Sequence, residues 1–213
     1  MPYLSRPRFK TNSPTASRSK SGATRPNVKS CGNTASGCMS ILYAIFGTMT
    51  KKKISVLLHN IRSTHNVGSI FRTSDALGVN KIYLSGYTPT PLDRFGKLRK
   101  DITKVALGAE KSIDWQYIKS PEGLIKKLSA QGGSTSGGKY QIIGLEQTKN
   151  SVDYKKAKVR YPVLFIVGNE VGGIEPKILS LCDIVSEIPM RGKKESLNVS
   201  VAFGVALFRM LNI

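Results

Sequence analysis

The stretch from Ile184 to Leu211, IVSEIPMRGKKESLNVSVAFGVALFRML, constrains this chain more than any other. An apolar strand, expected over Ile184 to Ile188, runs into Pro189. A basic glycine loop (Met190 to Glu195), a polar Ser-Leu-Asn turn and a long apolar helix follow. Ser196, Asn198 and Ser200 are placed to cap the orphan N–H groups that open that helix. Its Val201, Ala202, Val205, Ala206, Phe208 and Leu211 are too apolar to stand in water. A loop held between a buried strand and a buried helix has its carbonyls and N–H groups fixed in space, as recognition of a small polar ligand requires.

The rest of the chain alternates strands with helices, the pattern of a parallel sheet covered by helices. Ile54 to Leu58 reads as a buried strand. A polar loop from His59 to Asn66 leads into a helix ending near Leu77, with Gly78 at the C′ position where a left-handed residue stops a helix. Lys81 to Leu84 is the next strand and completes a β-α-β unit. Pro121 to Ala130 and Pro176 to Cys182 read as helices, and Tyr140 to Leu145 and Val163 to Val167 as strands. Residues 85–119 are less regular: a long loop bearing Arg94, Lys97, Arg99, Lys100 and Lys104 suits a phosphate-facing lip, and Val105 to Glu110 with Trp115 suits a short helix and strand. Gly133 to Lys139 nearly matches a phosphate loop. Tyr140 stands where a magnesium-binding hydroxyl is needed, however, and the segment follows a helix rather than a strand, so it reads as a flexible surface loop.

The 213 residues suffice for one α/β domain with a proper core. Their net charge of +20 implies a polyanionic partner, most simply nucleic acid. Half of that surplus lies in residues 1–53, which contain no acid. Residues 1–48, rich in Ser, Thr, Pro, Gly and Arg, have no periodicity and little to bury, and read as a disordered basic extension. Three origins stay open for it: an RNA-contacting arm, an organelle transit peptide, or sequence upstream of a natural start at Met49, which would leave 49–213 as the folded domain. Cys31, Cys38 and Cys182 form neither a disulfide framework nor a zinc pattern and suit a reducing cytoplasm. No apolar run reaches membrane-spanning length; Ile41 to Phe46 is the nearest, and no convincing signal-peptide cleavage site accompanies it.

Three polar stretches sit at the ends of buried elements: Asn66-Val67-Gly68-Ser69-Ile70-Phe71-Arg72-Thr73, Gly168-Asn169-Glu170-Val171-Gly172-Gly173-Ile174, and Ile188-Pro189-Met190 through Ser196-Leu197-Asn198-Val199-Ser200. Singly, each has an ordinary explanation, with Arg72 a surface charge, Glu170 a turn acid and Asn198 an N-cap. Together, at strand ends of one domain, they lie where α/β sheets bind ligands. In order and spacing they resemble the three motifs of the SpoU (TrmH-like) family of RNA ribose 2′-O-methyltransferases, in the SPOUT superfamily. Ala106 to Glu110 and Leu145 to Thr148 add to a resemblance that covers roughly residues 54–212.

That resemblance implies a parallel α/β domain with a C-terminal trefoil knot, an exception to unknotted topology. It also implies S-adenosylmethionine bound in the knot and a homodimer. The cofactor would meet mainly backbone at Leu145, Gly168, Ile188, Met190 and Leu197, with the side chains of Ser196 and Asn198. Arg72, Asn66 and Glu170 match the catalytic positions, with Asn66 orienting Arg72 or the ribose and Glu170 pinning the site. Arg191, Lys193 and Lys194, with Arg94, Lys97, Arg99 and Lys100, are candidates for RNA phosphates; no metal is implied. His59 and His65, although near the site, read as polar loop or surface residues. The absence of a separate folded RNA-binding domain within residues 1–48 leans toward tRNA over rRNA. A catalytically silent RNA-binding protein on the same fold, and a base N-methyltransferase of the same superfamily, are the competing readings.

Overall fold

A computed structural model of the chain describes residues 52–130 and 138–213. The basic extension and most of the rejected phosphate-loop match lie outside these residues. The sheet has seven strands: β1 (Ile54–His59), β2 (Lys81–Ser85), β3 (Asp114–Ile118), β4 (Gln141–Leu145), β5 (Val152–Asp153), β6 (Val163–Val167) and β7 (Ile184–Glu187). Their order is β3-β2-β1-β6-β4-β7-β5, and every pairing is parallel. The helices are α1 (Thr64–Ala76), α2 (Lys100–Ala106), α3 (Ala109–Ser112), α4 (Pro121–Ala130), α5 (Pro176–Leu179) and α6 (Val199–Leu211).

The two central strands, β1 and β6, are buried along their whole length, as strands covered on both faces must be. Alternation sorts their side chains into two layers. Val56, Leu58, Phe165 and Val167 join Ile70 and Phe71 of α1, Ile102 of α2, and Phe203 and Leu207 of α6. Leu57, Leu164 and Ile166 point the other way, onto Ile125 and Leu128 of α4 and Ile178 of α5. One-residue slippage of either strand would exchange the two layers, which is what pins the register. Gly78 has φ +68°, immediately after the Leu77 cap of α1, so the expected helix stop is present for the expected reason.

Parallel pairing sends all the C-terminal strand ends to one edge: His59 lies opposite Ser85, Leu58 opposite Val167, and Leu145 opposite both Val167 and Ser186. From that edge spring the segments 60–66, 86–99, 146–148, 168–174 and 188–198.

Several sequence expectations need correction. β7 stops at Glu187 and is only half-buried apart from Ser186, because it lies next to the last strand of the sheet. α5 stops at Leu179, three residues short of the expected Cys182. Lys100 and Lys104 belong to α2 rather than to a loop. His59 is neither a loop nor a surface residue: it ends β1 and is 6% exposed. Its Nδ1 is 2.8 Å from Ser85 Oγ, and its Nε2 is 3.2 Å from Glu175 Oε1. On α6, Val201, Val205 and Phe208 are 50%, 42% and 38% exposed. The helix is covered on the face carrying Phe203, Ala206, Leu207 and Met210, and spacing of 201, 205 and 208 puts the exposed three on another stripe.

Candidate active site

Glu170 organises the junction of the three polar segments. It follows β6 by three residues, and its side chain reaches the loop after β1. Oε2 accepts from the Arg62 N–H (3.0 Å), and Oε1 accepts from the Ser63 N–H (3.2 Å) and from Asn66 Nδ2 (2.8 Å). Burial pushes the Glu170 carboxyl up, but these bonds, with one from its own N–H, outweigh it and leave the group below its ordinary value. A charged acceptor is thus held where two backbone donors and one amide converge, which fixes the path of the chain into α1.

Asn66 is 6% exposed and serves both sides. Its amide donates to Glu170, and its Oδ1 accepts from Asn198 Nδ2 at 3.1 Å. Asn198 is the N-cap of α6: its Oδ1 accepts from the Ser200 N–H at 3.0 Å and from Ser200 Oγ at 2.7 Å. A single hydrogen-bonded line, Glu170–Asn66–Asn198, therefore joins segments separated by 104 and 132 positions in the chain. Among the described residues Asn66 makes no hydrogen bond to Arg72; its amide is engaged by Glu170 and Asn198. Arg72 is exposed on α1 and forms no ion pair among the described residues. His65, also exposed, lies seven residues before it on the same helical stripe.

The segment after Glu170 is a tight turn, with Asn169 and Gly173 exchanging two backbone bonds of 3.0 Å. Asn169 Oδ1 accepts from the N–H groups of Val171 and Gly172. A Cβ on Gly168 would collide with the Gly173 carbonyl and the Ile174 nitrogen, so this strand end admits only glycine without a backbone shift.

Beside this junction opens a cleft of about 440 Å³, within the roughly 300–1,000 Å³ typical of small-molecule sites. Leu145, Gly168, Ile188, Met190, Ser196 and Leu197 line it, together with Glu170. Asn198 is not among the lining residues; its amide is bonded to Asn66. Val167, Phe203 and Ala206 also line the cleft, as do Glu146, Glu187 and Glu195, three acids that the sequence did not single out. In a chain of net charge +20, the charged residues that line this cleft, among the described residues, are four glutamates. Glu146 is partly committed to structure, accepting from the Ile174 and Gln147 N–H groups.

The candidate cations lie outside the cleft. Arg191, Lys193 and Lys194 are exposed on the loop between β7 and α6. Arg94, Lys97 and Lys100 are exposed near the β2–α2 connection, and Arg99 is paired with Asp101 at 3.0 Å. The Arg99 hydrogen bond holds the Asp101 carboxyl below its ordinary value. Among the described residues no cluster of His, Cys, Asp and Glu could hold a metal ion, and no helix is long and apolar enough to cross a membrane.

Residues 53–208 match the model of the SpoU rRNA methylase family. A tRNA (guanosine(18)-2′-O)-methyltransferase of Aquifex aeolicus is 32% identical over 158 residues, 74% of this chain and 68% of that protein. The 23S rRNA (guanosine-2′-O-)-methyltransferase RlmB of Neisseria meningitidis is 27% identical, over 76% of this chain and 60% of that protein. The crystal structure of an AdoMet-bound rRNA methyltransferase from Sinorhizobium meliloti superposes with a TM-score of 0.65 at 27% identity, covering 75% of this chain and 56% of that one. Apart from the Aquifex protein, the chain spans between about half and two thirds of such relatives.

Proposed function

The chain belongs to the SpoU methylase family, and from that premise we propose that it methylates the 2′-hydroxyl of a ribose in structured RNA, with S-adenosylmethionine as donor. The observation that carries this reading is the cleft whose charged lining, among the described residues, consists of glutamates. A ligand bearing a sulfonium and an ammonium is attracted there, whereas a polyanion is not. When bound, S-adenosylmethionine supplies an electrophilic methyl group on sulfur. The backbone at Leu145, Gly168, Ile188, Met190 and Leu197, and the Ser196 side chain, hold it, and Asn198 keeps the α6 end of the cleft in place through Asn66. The C-terminal segment containing β7 and α6 threads the knot of the superfamily; the position of β7 between β4 and β5 supports this.

Outside the cleft, the basic residues receive the RNA. Arg72, exposed and without an ion pair among the described residues, clamps a phosphate next to the target ribose and stabilises the developing alkoxide. A guanidinium stays protonated in proteins and is a poor proton acceptor. A phosphate oxygen or a water therefore takes the hydroxyl proton, and the chain's contribution is alignment of two reactants. Glu170 and Asn66 are positioning residues that hold the entry to α1 and thereby Arg72. The apolar stripe Val201, Val205 and Phe208 on α6 supports a homodimer whose partner covers it. The enzyme acts in the cytoplasm, on tRNA in preference to rRNA.

The test is to compare wild type with Arg72→Ala and Arg72→Lys for cofactor affinity and methyl transfer. Both variants are expected to bind S-adenosylmethionine as wild type does, with transfer reduced about 100-fold or more. Near-normal turnover by Arg72→Lys would exclude the bidentate clamp, and failure of the wild type to bind the cofactor would favour a silent RNA-binding protein.

A further inference from the structure

The segment between β2 and α2 is a built hairpin. Leu92 and Leu98 pair in antiparallel fashion. Asp93 and Lys97 bond through the Asp93 N–H and Lys97 carbonyl at 2.8 Å, and Asp93 Oδ1 accepts from the N–H groups of Phe95 (2.8 Å) and Lys97 (2.9 Å). The Arg99 N–H donates to the Pro91 carbonyl at 2.9 Å and closes the base. This scaffold displays Phe95 with 72% of its surface exposed. The Arg94 guanidinium lies over its ring, 4.7 Å from the centroid. Together with Arg99 and Tyr117, the two residues line an open hollow of about 640 Å³. Tyr117, 44% exposed, is fixed by its hydroxyl donating to the Gly86 carbonyl at 2.8 Å. The hollow adjoins the site described above: Thr88 on its wall donates to the Leu58 carbonyl, and the neighbouring Tyr87 hydroxyl accepts from Asn169 Nδ2 at 2.7 Å, one residue from Glu170.

An aromatic face presented to water, stacked by the Arg94 guanidinium and bordered in the hollow by Arg99 and Asp93, offers little to an apolar protein partner. A flat, polarisable, negatively carried group fits it better: a nucleobase on its phosphate backbone. We propose that this hairpin is a stacking platform for one unpaired nucleobase of the RNA, close to the methylated nucleotide, with Phe95 as the stacking face, Arg94 as its cationic cover and Lys97 on the adjoining phosphate. The proposal rests on the RNA-directed reading of the chain and narrows its substrate to RNA with a base free to leave the helix, in a loop, bulge or end. Nothing in the hairpin reads base identity, so the platform sets position rather than sequence.

The experiment measures equilibrium binding of a single-stranded RNA oligonucleotide containing 2-aminopurine and of a blunt RNA duplex, and in parallel the RNA KM and kcat for methyl transfer to bulk tRNA and bulk rRNA. Wild type is compared with Phe95→Ala, Phe95→Tyr, Phe95→Leu and Arg94→Ala. Phe95→Ala is expected to weaken single-strand binding about 5- to 150-fold, to abolish 2-aminopurine quenching, and to raise KM while leaving kcat and cofactor affinity unchanged. Its salt dependence should match wild type. Phe95→Tyr should restore binding and quenching, whereas Phe95→Leu should not. Wild-type single-strand binding by Phe95→Ala, or equal rescue by Leu and Tyr, would overturn the platform even if methyl transfer proceeds. Phe95-dependent binding with no transfer to either RNA pool would uphold the platform and defeat the methyltransferase reading instead.

Discussion

Asn66→Asp is the sharpest perturbation of the Glu170–Asn66–Asn198 line, because it keeps the shape and changes only charge and donors. In the native chain Asn66 Nδ2 is 2.8 Å from Glu170 Oε1. With aspartate there, two carboxylates face each other in a half-buried site. At an effective dielectric of about 20, like charges near 4 Å repel by about 4 kcal/mol. The alternative is to protonate one of them, which for a carboxyl of ordinary pKa near 3.9 costs about 4 kcal/mol at pH 7. Either route gives a similar loss, and the pair then titrates as a unit with one pKa well above the ordinary range. Asn66→Ala removes only the hydrogen bonds, a loss of about 1–3 kcal/mol. For a domain of this size about 2–4 °C of Tm accompanies each kcal/mol, so Asn66→Asp should melt roughly 8–16 °C below wild type at pH 7, and Asn66→Ala substantially less. The sign with pH is the decisive feature. In Asn66→Asp the folded state holds a proton that the unfolded state has released, so stability falls as pH rises and returns as pH drops. Between pH 7 and pH 5 this variant should regain about 2–3 kcal/mol relative to wild type, whereas Asn66→Ala should regain nothing from this pair. Thermal melts of the three proteins at pH 5, 6 and 7 measure it. Asn66→Asp melting with Asn66→Ala at all three values would refute the hydrogen-bonded line.

Other substitutions probe the remaining parts. Wild-type Glu170 is held below its ordinary value, so its contribution is present above the unfolded carboxylate range and is lost as pH falls through the depressed folded value; a Glu170→Gln variant should show a shallower loss of stability in acid titration. Gly168→Ala places a methyl against backbone at Gly173 and Ile174 and should cost about 1–3 kcal/mol and weaken cofactor binding measured by calorimetry. Phe208→Glu or Val205→Arg on the exposed stripe of α6 should shift a dimer to monomer in sedimentation without lowering monomer stability. Burial, with Asp183 nearby, pushes the Cys182 thiol up to about 11, so it should react with iodoacetamide far more slowly at pH 7.5 than a free thiol.

What the sequence made legible was local. The strand after Lys53, the Gly78 stop and the Pro121–Ala130 helix follow from periodicity and caps within a dozen residues. The hairpin at 92–98 was not, because it is held by Asp93 bonding backbone N–H groups rather than by an apolar period. The burial of His59 depends on Ser85 and on Glu175, 116 positions away, contacts that no local pattern encodes. Hydropathy marked α6 as apolar but could not tell its covered face from the exposed stripe of Val201, Val205 and Phe208. At the site, Glu146 follows β4 while Glu187 and Glu195 belong to β7 and the loop after it, and they become one lining only because β4 and β7 pair in parallel. For Glu146 and Glu187 the signal in the sequence was position, one just beyond and one on a strand end of an α/β sheet; Glu195, deep in the loop before α6, carried none.

The most direct measurement of the central claim is transfer of a labelled methyl group from S-adenosylmethionine to separate pools of tRNA and rRNA, with product nucleosides identified and Arg72→Ala run alongside. The expected result is label in 2′-O-methylated nucleosides, stronger from tRNA, and lost in the variant although it still binds the cofactor. Label on nucleobases, or transfer undiminished in Arg72→Ala, would contradict it.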